Sequence, residues 1–171
     1  MKSQTTIAGA SHTNGSAILS GKRAVVFGAG GSIGATVAKE FAGEGAEVFL
    51  AGRTKANVDA VAAQITASGG RVHSQVVDAM NDAAVNEYIA GIVTQAGGLD
   101  ISFNAVGPIA AEYGNTKSAV DLPIEEYMVP LTTVVKSQFI TARAAARHMV
   151  KQGSGVSRPR RSESSVPSHN C

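Results

Sequence analysis

The sequence is poor in residues that bind metals or form covalent cross-links. It contains a single cysteine, Cys171, so an internal disulfide is excluded, and this content fits a reducing compartment such as the cytoplasm. Its four histidines lie far apart and show no spacing typical of metal ligands. They are His12, His73, His148 and His169. We therefore expect a cytoplasmic protein without a metal site.

Long apolar runs are absent too. After Lys2 the chain continues with a polar stretch of Ser, Thr, Asn and Gly as far as Ser16, which is unlike the apolar core of a secretory signal. No run approaches the length that spans a membrane. The sequence gives no reason to expect a membrane partner.

The sequence has little excess charge of either sign. Fifteen Lys and Arg residues face thirteen Asp and Glu residues, a net charge of +2. Arg158, Arg160 and Arg161 lie in the last fifteen residues, where only Glu163 opposes them, and the remaining chain carries twelve charges of each sign. A neutral body lacks the basic surface that binds nucleic acid or anionic lipid. Neither is an expected partner.

Short apolar runs alternate with segments of helical periodicity between Gly21 and Asn104. The predicted strands fall within residues 24–27, 48–50, 72–77 and 99–104. Such alternation predicts a doubly wound parallel α/β sheet of strand order 3-2-1-4, with helices on both faces. The three predicted helices carry these apolar residues at spacings of three and four: Ile33, Val37 and Phe41; Val58, Val61, Ala62 and Ile65; Val85, Tyr88, Ile89, Ile92 and Ala96.

The two ends of the chain differ in composition from this central region. Residues 1–20 are small and polar, and we expect a flexible extension there. Residues 157–171 read SRPRRSESSVPSHNC, and we expect a disordered basic tail. Residues 21–156 then form the folded domain, and a chain of this length is expected to bury one core.

A long amphipathic helix is predicted around residues 131–150. Pro130 fits most simply in its first turn, where a missing N–H costs least, although it could instead kink a helix begun near Glu125. The apolar stripe consists of Leu131, Val134, Val135, Phe139, Ala142, Ala146 and Met149.

A glycine-rich turn, GAGGSIG at residues 28–34, directly follows the first predicted strand and opens the first predicted helix. Without Cβ atoms the backbone can turn tightly and approach a pyrophosphate, whose charge is met by free N–H groups at the helix start. The strand before the turn, the helix after it and the second strand about twenty residues on are the context of a dinucleotide site. The alternative is a tight turn with a purely structural role.

The end of the second predicted strand reads Ala51-Gly52-Arg53-Thr54. An acidic residue here would hydrogen-bond the ribose 2′-hydroxyl of NAD, but no carboxylate is present. A guanidinium can instead pair with a 2′-phosphate. Arg53 therefore indicates NADP(H), unless it is simply a solvated arginine at a strand end.

In combination, these motifs resemble the short-chain dehydrogenase/reductase family from about Leu19 to Val156. LSGKRAVVFGAGGSIGA resembles its glycine-rich opening, AGRT its NADP-type second strand, VVDAMND its adenine-contacting segment and LDISFNAVG its Asn-Ala-Gly strand end. The resemblance implies a Rossmann-like fold and four sets of cofactor contacts. These are Gly28, Ile33 and Gly34, with Ser32 beside them, at the pyrophosphate; Arg53 and Thr54 at the 2′-phosphate; Asp78 and Ala79 at the adenine; and Asn104, Ala105 and Val106 at the inner part of the cofactor.

The chain also departs from the family pattern. Ser32 replaces the middle glycine of the family's glycine-rich motif, and Ala105 replaces the second Asn of its strand-end motif. Val134 replaces the helix Asn that supports proton relay in the family. The family's catalytic Ser and Tyr-x-x-x-Lys belong to a later region with no counterpart here, so we assign no catalytic residue. One literal Tyr-x-x-x-Lys runs from Tyr113 to Lys117, but its Gly-Asn centre disfavours a helix and we interpret it as a decoy.

The family resemblance implies an oxidoreductase that transfers hydride between NADP(H), favoured over NAD(H), and an unknown small carbonyl or alcohol. Without the family's proton donor we expect the isolated chain to be inactive. Two other functions stay open. One is a non-catalytic NADP-binding module, and the other is an interaction protein, such as a homo-oligomer, that pairs through the helix around residues 131–150.

The change of character near Val156 predicts a C-terminally truncated fold. The family continues there with an apolar strand, whereas Arg158 and Pro159 are hostile to a buried one. We expect an incomplete sheet, no segment after Val156 that pairs with the fourth strand, and a reading frame that departs from the family's at this point. Five side chains would then lack their usual partners: Leu131, Val134, Val135, Phe139 and Met149.

Overall fold

Helices and strands alternate along the chain in a computed structural model that describes residues 17–108 and 117–159. The strands are parallel and lie in the order β3-β2-β1-β4-β5, which confirms the predicted doubly wound α/β sheet and adds a fifth strand. The elements are β1 (Arg23–Phe27), α1 (Ser32–Gly43), β2 (Glu47–Gly52), α2 (Lys55–Ala67), β3 (Arg71–Val76), α3 (Asp82–Ala96), β4 (Ile101–Asn104), α4 (Ile124–Gln152) and β5 (Val156–Pro159).

The central strand β1 is buried on both faces, as expected for a parallel sheet covered by helices. Val25 and Phe27 face α3 and α4, and Phe27 meets Tyr88 edge-on with ring centroids 6.3 Å apart. Ala24 and Val26 pack on the opposite side, with α1 and α2. Because successive side chains point to opposite faces of a strand, one apolar run serves both cores.

An ion pair joins the start of β1 to the segment before β4. Asp100 Oδ2 accepts hydrogen bonds from the backbone N–H of Arg23 at 2.9 Å and from its Nε at 2.7 Å. Burial alone would raise the pKa of Asp100, but the hydrogen bonds from Arg23 hold it below its usual value. The ionised carboxylate therefore fixes the two neighbouring strands relative to each other.

The folded region starts before Gly21, earlier than the sequence predicted. Residues 17–20 form a turn, in which the backbone N–H of Leu19 donates to the carbonyl of Glu44 at 2.9 Å and that of Ile18 to the Glu44 carboxylate at 3.1 Å. Leu19 also packs against the core beneath α1 and α2. This contact anchors the last residues of the predicted flexible extension, and residues 1–16 lie outside the described part of the chain.

Helix α4 also begins earlier than predicted. Pro130 lies inside the helix, so its placement in a first turn is wrong and the alternative of a helix begun near Glu125 is correct. Proline has no N–H to donate to the carbonyl of Glu126. Glu125 and Glu126 favour the earlier helix start, because they are acidic and occupy the first turn, where the helix dipole is positive. Although α4 is 29 residues long, neither it nor another described helix has an apolar stretch of the membrane-spanning kind.

The predicted apolar stripe of α4 is mostly not the face that packs on the sheet. Of the five side chains expected to lack partners, Leu131, Val135 and Phe139 are 47%, 65% and 61% exposed, and Val134 is partly buried. Met149 does not fit that expectation, because it is buried and its side chain lies against Gly155. The buried face is instead mostly small or polar: Ser137, Ile140, Thr141, Ala144, Ala145 and Met149.

The prediction that nothing after Val156 pairs with the fourth strand is wrong. Strand β5 runs parallel to β4, with Val156 opposite Ile101, and the backbone N–H of Val156 donates to the carbonyl of Asp100 at 2.8 Å. The polar sequence suits this place because Val156–Pro159 is the outermost strand of the described sheet and needs only one hydrogen-bonded edge. Pro159 is its last residue, where a missing N–H interrupts least. Residues 160–171 of the predicted tail lie outside the described chain.

Candidate functional site

A cavity of about 440 Å³ opens at the carboxyl ends of the strands. The chain leaves β1 toward β2 on one side and reaches β4 on the other, so the cavity lies at the point where the strand order reverses. Open α/β sheets bind ligands at such points. The walls are the segments that follow β1, β2, β3 and β4, together with one residue of α4: Gly28, Gly30, Gly31, Gly52, Arg53, Thr54, Asn57, Val58, Val77, Asp78, Ala79, Met80, Ala105, Val106, Gly107 and Thr133.

The floor of the cavity is the glycine-rich turn after β1. Gly28 has a φ of +73°, a backbone conformation that favours glycine. A Cβ atom on Gly28 would lie 2.9 Å from the backbone of Ala105 and Val106, and one on Gly34 would lie 2.3 Å from the carbonyl oxygen of Gly28. The turn is therefore in direct backbone contact with both α1 and the segment after β4.

The start of α1 faces this turn with unused hydrogen-bond donors. Within the described chain, no side chain caps this end of the helix and its first turn contains no acidic residue. The first turn therefore presents backbone N–H groups and the positive end of the helix dipole, which together suit an anion. Ile33, predicted on the packed face, is 41% exposed, whereas Gly34 and Ala38 are buried.

The wall formed after β2 carries the positive charge of the site. Among the cavity-lining residues, Arg53 is the one cation and Asp78 the one acid. Lys55 is close by but makes an ion pair with Asp59, whose other carboxylate oxygen accepts from Ser74 Oγ at 2.8 Å. These hydrogen bonds from Lys55 and Ser74 lower the pKa of Asp59. The neighbouring positive charge of Lys55 therefore lies beside the carboxylate of Asp59.

The wall formed after β3 is shaped by Asp78. Its Oδ1 accepts from the backbone N–H of Met80 at 2.9 Å, which holds the segment in a turn. The backbone N–H of Val77 donates to the carbonyl of Gly52 at 3.1 Å and extends the contact with β2. Asp78 itself is exposed and Ala79 is buried, so this wall combines a polar rim with an apolar base.

The structure brings seven of the eleven predicted cofactor residues to the cavity wall: Gly28, Arg53, Thr54, Asp78, Ala79, Ala105 and Val106. Ser32, Ile33 and Gly34 form the adjoining first turn of α1, and Asn104 is buried behind the wall. The sequence interpretation missed Asn57 and Met80, which follow predicted site residues closely in the chain. It also missed Thr133, which no local motif indicates because it reaches the cavity from α4.

Neither of the two tyrosines in the described chain lines the cavity. Tyr88 is buried, its hydroxyl donates to the carbonyl of Leu50 at 3.0 Å, and burial raises the pKa of its phenol. Tyr127 is exposed in the first turns of α4. Lys117, the second half of the suspected decoy, makes an ion pair with Glu126, and Tyr113 lies outside the described residues.

Comparison with known proteins identifies the family. The family model described as short chain dehydrogenase matches residues 22–156. The chain therefore belongs to the short-chain dehydrogenase family, as the sequence motifs implied.

Individual relatives extend this assignment. Gluconate 5-dehydrogenase of Gluconobacter oxydans (strain 621H) is 35% identical over 140 residues, which are 80% of this chain and 52% of the relative. A metagenomic short-chain oxidoreductase solved in complex with NADP is 28% identical, with a TM-score of 0.72 over 82% of this chain and 62% of the other. NAD+-bound xylitol dehydrogenase is also 28% identical, with a TM-score of 0.74 over 82% and 53%. The chain spans about half the length of the curated relatives it matches.

We predict opposite effects for alanine at two helical glycines. Gly34→Ala places a methyl group against the carbonyl of Gly28, so the free energy of unfolding should fall by about 1–3 kcal/mol. Gly91→Ala is the matched control, because nothing lies within 4 Å of its added methyl group. It should raise the free energy of unfolding by about 0.5–1 kcal/mol through helix propensity. Urea unfolding followed by circular dichroism measures both, and equal changes would contradict the packing described for Gly34.

Proposed function

We propose that this chain forms the NADP(H)-binding part of an oxidoreductase that transfers hydride between NADP(H) and a small carbonyl or alcohol. The observation that carries the proposal is the cavity at the switch point, with a glycine-rich floor, an uncapped helix start and one cationic wall. Each feature matches one part of a phosphorylated dinucleotide. Membership of a family whose similar structures hold NADP or NAD+ supports the same conclusion.

The residues divide the cofactor among the walls of the cavity. In this proposal the pyrophosphate lies over Gly28 and the first turn of α1, where Ser32, Ile33 and Gly34 supply backbone N–H groups. The adenine lies against Asp78 and Ala79 on the β3 side. Asn104, Ala105 and Val106 form the β4 side and face the inner part of the cofactor. The cofactor supplies the hydride, while these residues bind and orient it.

The preference for NADP(H) rests on Arg53 and Thr54. The family includes similar structures with either cofactor, so the choice depends on the charge at the end of β2. This end carries Arg53 and no carboxylate. A carboxylate here would repel a 2′-phosphate. A guanidinium can form two parallel hydrogen bonds to a phosphate. Thr54 begins the turn into α2 beside it and can add a hydroxyl.

We predict that the chain binds NADPH more tightly than NADH and that Arg53→Ala narrows the difference. A charge-assisted contact contributes roughly 1.5–3 kcal/mol, which is about ten- to a hundredfold in affinity. Fluorescence titration with both cofactors measures the ratio. Arg71→Ala is the matched control, because it removes the same side chain at the opposite end of the strands. Equal affinities of the unsubstituted chain for NADPH and NADH would remove the proposed preference.

We also predict that the 171-residue chain binds NADPH without turning over carbonyls or alcohols. Hydride transfer to a carbonyl needs a matched proton donor, and neither Tyr88 nor Tyr127 lines the cavity. Absorbance at the nicotinamide band, followed with a panel of small carbonyls, should not differ from a protein-free control. Turnover that disappears in Tyr113→Phe would show that the Tyr113–Lys117 motif is catalytic.

A non-catalytic NADP-binding module is the second candidate function. It is favoured by the same cavity and by the burial of Tyr88, and it differs from the first candidate only in the absence of chemistry. Turnover by the unsubstituted chain, if insensitive to Tyr113→Phe and retained after repurification, would exclude this module and require another proton donor.

The exposed apolar face of α4 favours a third role in self-association. Val135 and Phe139 are more than half exposed in the middle of the helix, and Leu131 lies one turn before them. The guanidinium of Arg143 lies 4.8 Å from the Phe139 ring centroid and covers part of it. Clustered apolar surface of this kind is typical of an interaction site. In this proposal two copies of the chain pair through this face.

We predict that light scattering gives twice the 17.4 kDa mass of the chain and that Val135→Glu returns it to the single mass. A buried carboxylate without a partner would oppose pairing. Lys136→Glu is the matched control, since it changes the charge of an exposed neighbour that is already polar. A single-chain mass for the unsubstituted protein at micromolar concentration would contradict this role.

A further inference from the structure

A buried polar cluster lies directly behind the β4 side of the cavity. It consists of Asn104 at the end of β4 and of Ser137 and Thr141 on α4, which are 4%, 0% and 1% exposed. Asn104 Nδ2 donates to Thr141 Oγ1 at 2.9 Å and to Ser137 Oγ at 3.4 Å. Asn104 Oδ1 accepts from the backbone N–H of Val106 at 2.8 Å. The carboxamide therefore bridges a helix and a cavity wall.

The hydroxyl protons of the cluster are directed into the helix. Thr141 Oγ1 donates to the carbonyl of Ser137 at 2.9 Å, and Ser137 Oγ donates to the carbonyl of Val134 at 3.3 Å. A hydroxyl has one proton to donate, so each of these oxygens can only accept from Asn104. The NH₂ group of Asn104 must then face the helix, and its oxygen must face Val106. Together with the N–H of Val106, which can only donate, the two hydroxyls favour one of the two orientations of the amide.

The selected orientation bears on the cavity through Val106. A Cβ atom on Gly28 would lie 2.9 Å from the backbone N of Val106, so the segment of Ala105 and Val106 contacts the glycine-rich turn. Reversing the amide would set its NH₂ group against the N–H of Val106, two donors facing each other in a buried site. The segment would then have to move, and the β4 wall would move with it.

We propose that Ser137 and Thr141 are positioning residues, which orient Asn104 so that the segment of Ala105 and Val106 is held in place to receive the inner part of the cofactor. This inference rests on the proposed NADP(H) function. It adds that two hydroxyls on α4, which do not themselves line the cavity, affect the affinity for one end of the cofactor. Thr141 makes the shorter contact and has the larger effect.

The test compares two ligands that use different ends of the cavity. Strand β4 lies on one side of β1, and β2 and β3 lie on the other. The fragment 2′,5′-ADP carries the adenine, the 2′-phosphate and one phosphate of the pyrophosphate, which are proposed to meet Asp78, Arg53 and the start of α1, whereas NADPH also reaches the β4 wall. Titration calorimetry of the full chain with both ligands therefore separates the two ends.

Thr141→Val keeps the shape of the side chain and removes the hydroxyl. It should weaken NADPH binding by about five- to tenfold, the value of one buried hydrogen bond, and leave 2′,5′-ADP binding within twofold. Thr141→Ser should restore NADPH affinity. Thr94→Val is the matched control, because that hydroxyl also donates to a carbonyl four residues earlier but is exposed. Unchanged NADPH affinity in Thr141→Val overturns the proposal.

Amide hydrogen exchange at Val106 supplies a readout that needs no ligand. The exchange should accelerate in Thr141→Val and not in Thr94→Val, because the acceptor Asn104 Oδ1 is released only in the first. If Thr141→Val does not fold, Ser137→Ala should show the same acceleration to a smaller degree, and normal exchange there overturns the proposal. Failure of the unsubstituted chain to bind NADPH contradicts the proposed function alone, since the exchange result still decides the role of the hydroxyls.

Discussion

The close approach of three backbone segments around Gly28 is the constraint on which the rest of the site depends. The turn after β1 touches the first turn of α1 through Gly34 and the segment after β4 through Ala105 and Val106. There is no room for a side chain at either contact. Because the three segments are fixed by backbone atoms, the helix start, the floor and one wall of the cavity keep their relative positions. A cavity formed in this way is preorganised for a ligand that binds across it.

The two ends of the cavity are held in different ways. On the β2 and β3 side, the two charged residues, Arg53 and Asp78, are exposed, and the turns are local, as in the hydrogen bond from Met80 to Asp78. On the β4 side, the wall is held by the buried carboxamide of Asn104, which reaches 37 residues along the sequence to Thr141. The β2 and β3 side can adapt to the charge of a ligand. The β4 side is rigid, because its buried polar atoms would be left without hydrogen-bond partners if they moved.

Local patterns of sequence predicted most of the fold and the floor of the site, because they encode the features directly. Buried parallel strands require apolar runs, and a backbone turn against a helix requires glycine, so the sequence alone predicted β1 and the turn at Gly28. It did not predict the buried face of α4. Ser137 and Thr141 are polar and lie outside the predicted apolar stripe, yet they are buried, and Asn104 donates to both. Thr133 reaches the cavity only through the packing of α4. Most of β5 falls in the predicted disordered tail, because an outermost strand needs only one paired edge and can be polar.

The central place of β1 in the sheet has a consequence for how the chain folds. Strand β1 emerges first, yet its second neighbour is β4, and the Arg23–Asp100 contact that joins them links residues 77 positions apart. During synthesis, the edge of β1 that pairs with β4 stays unpaired until Asn104 has been made, about three fifths of the way along this sequence. Pairings between distant segments form slowly, because the loop between them must close first. In the interval before β4 arrives, this edge of β1 is open to pairing with other chains, which favours aggregation.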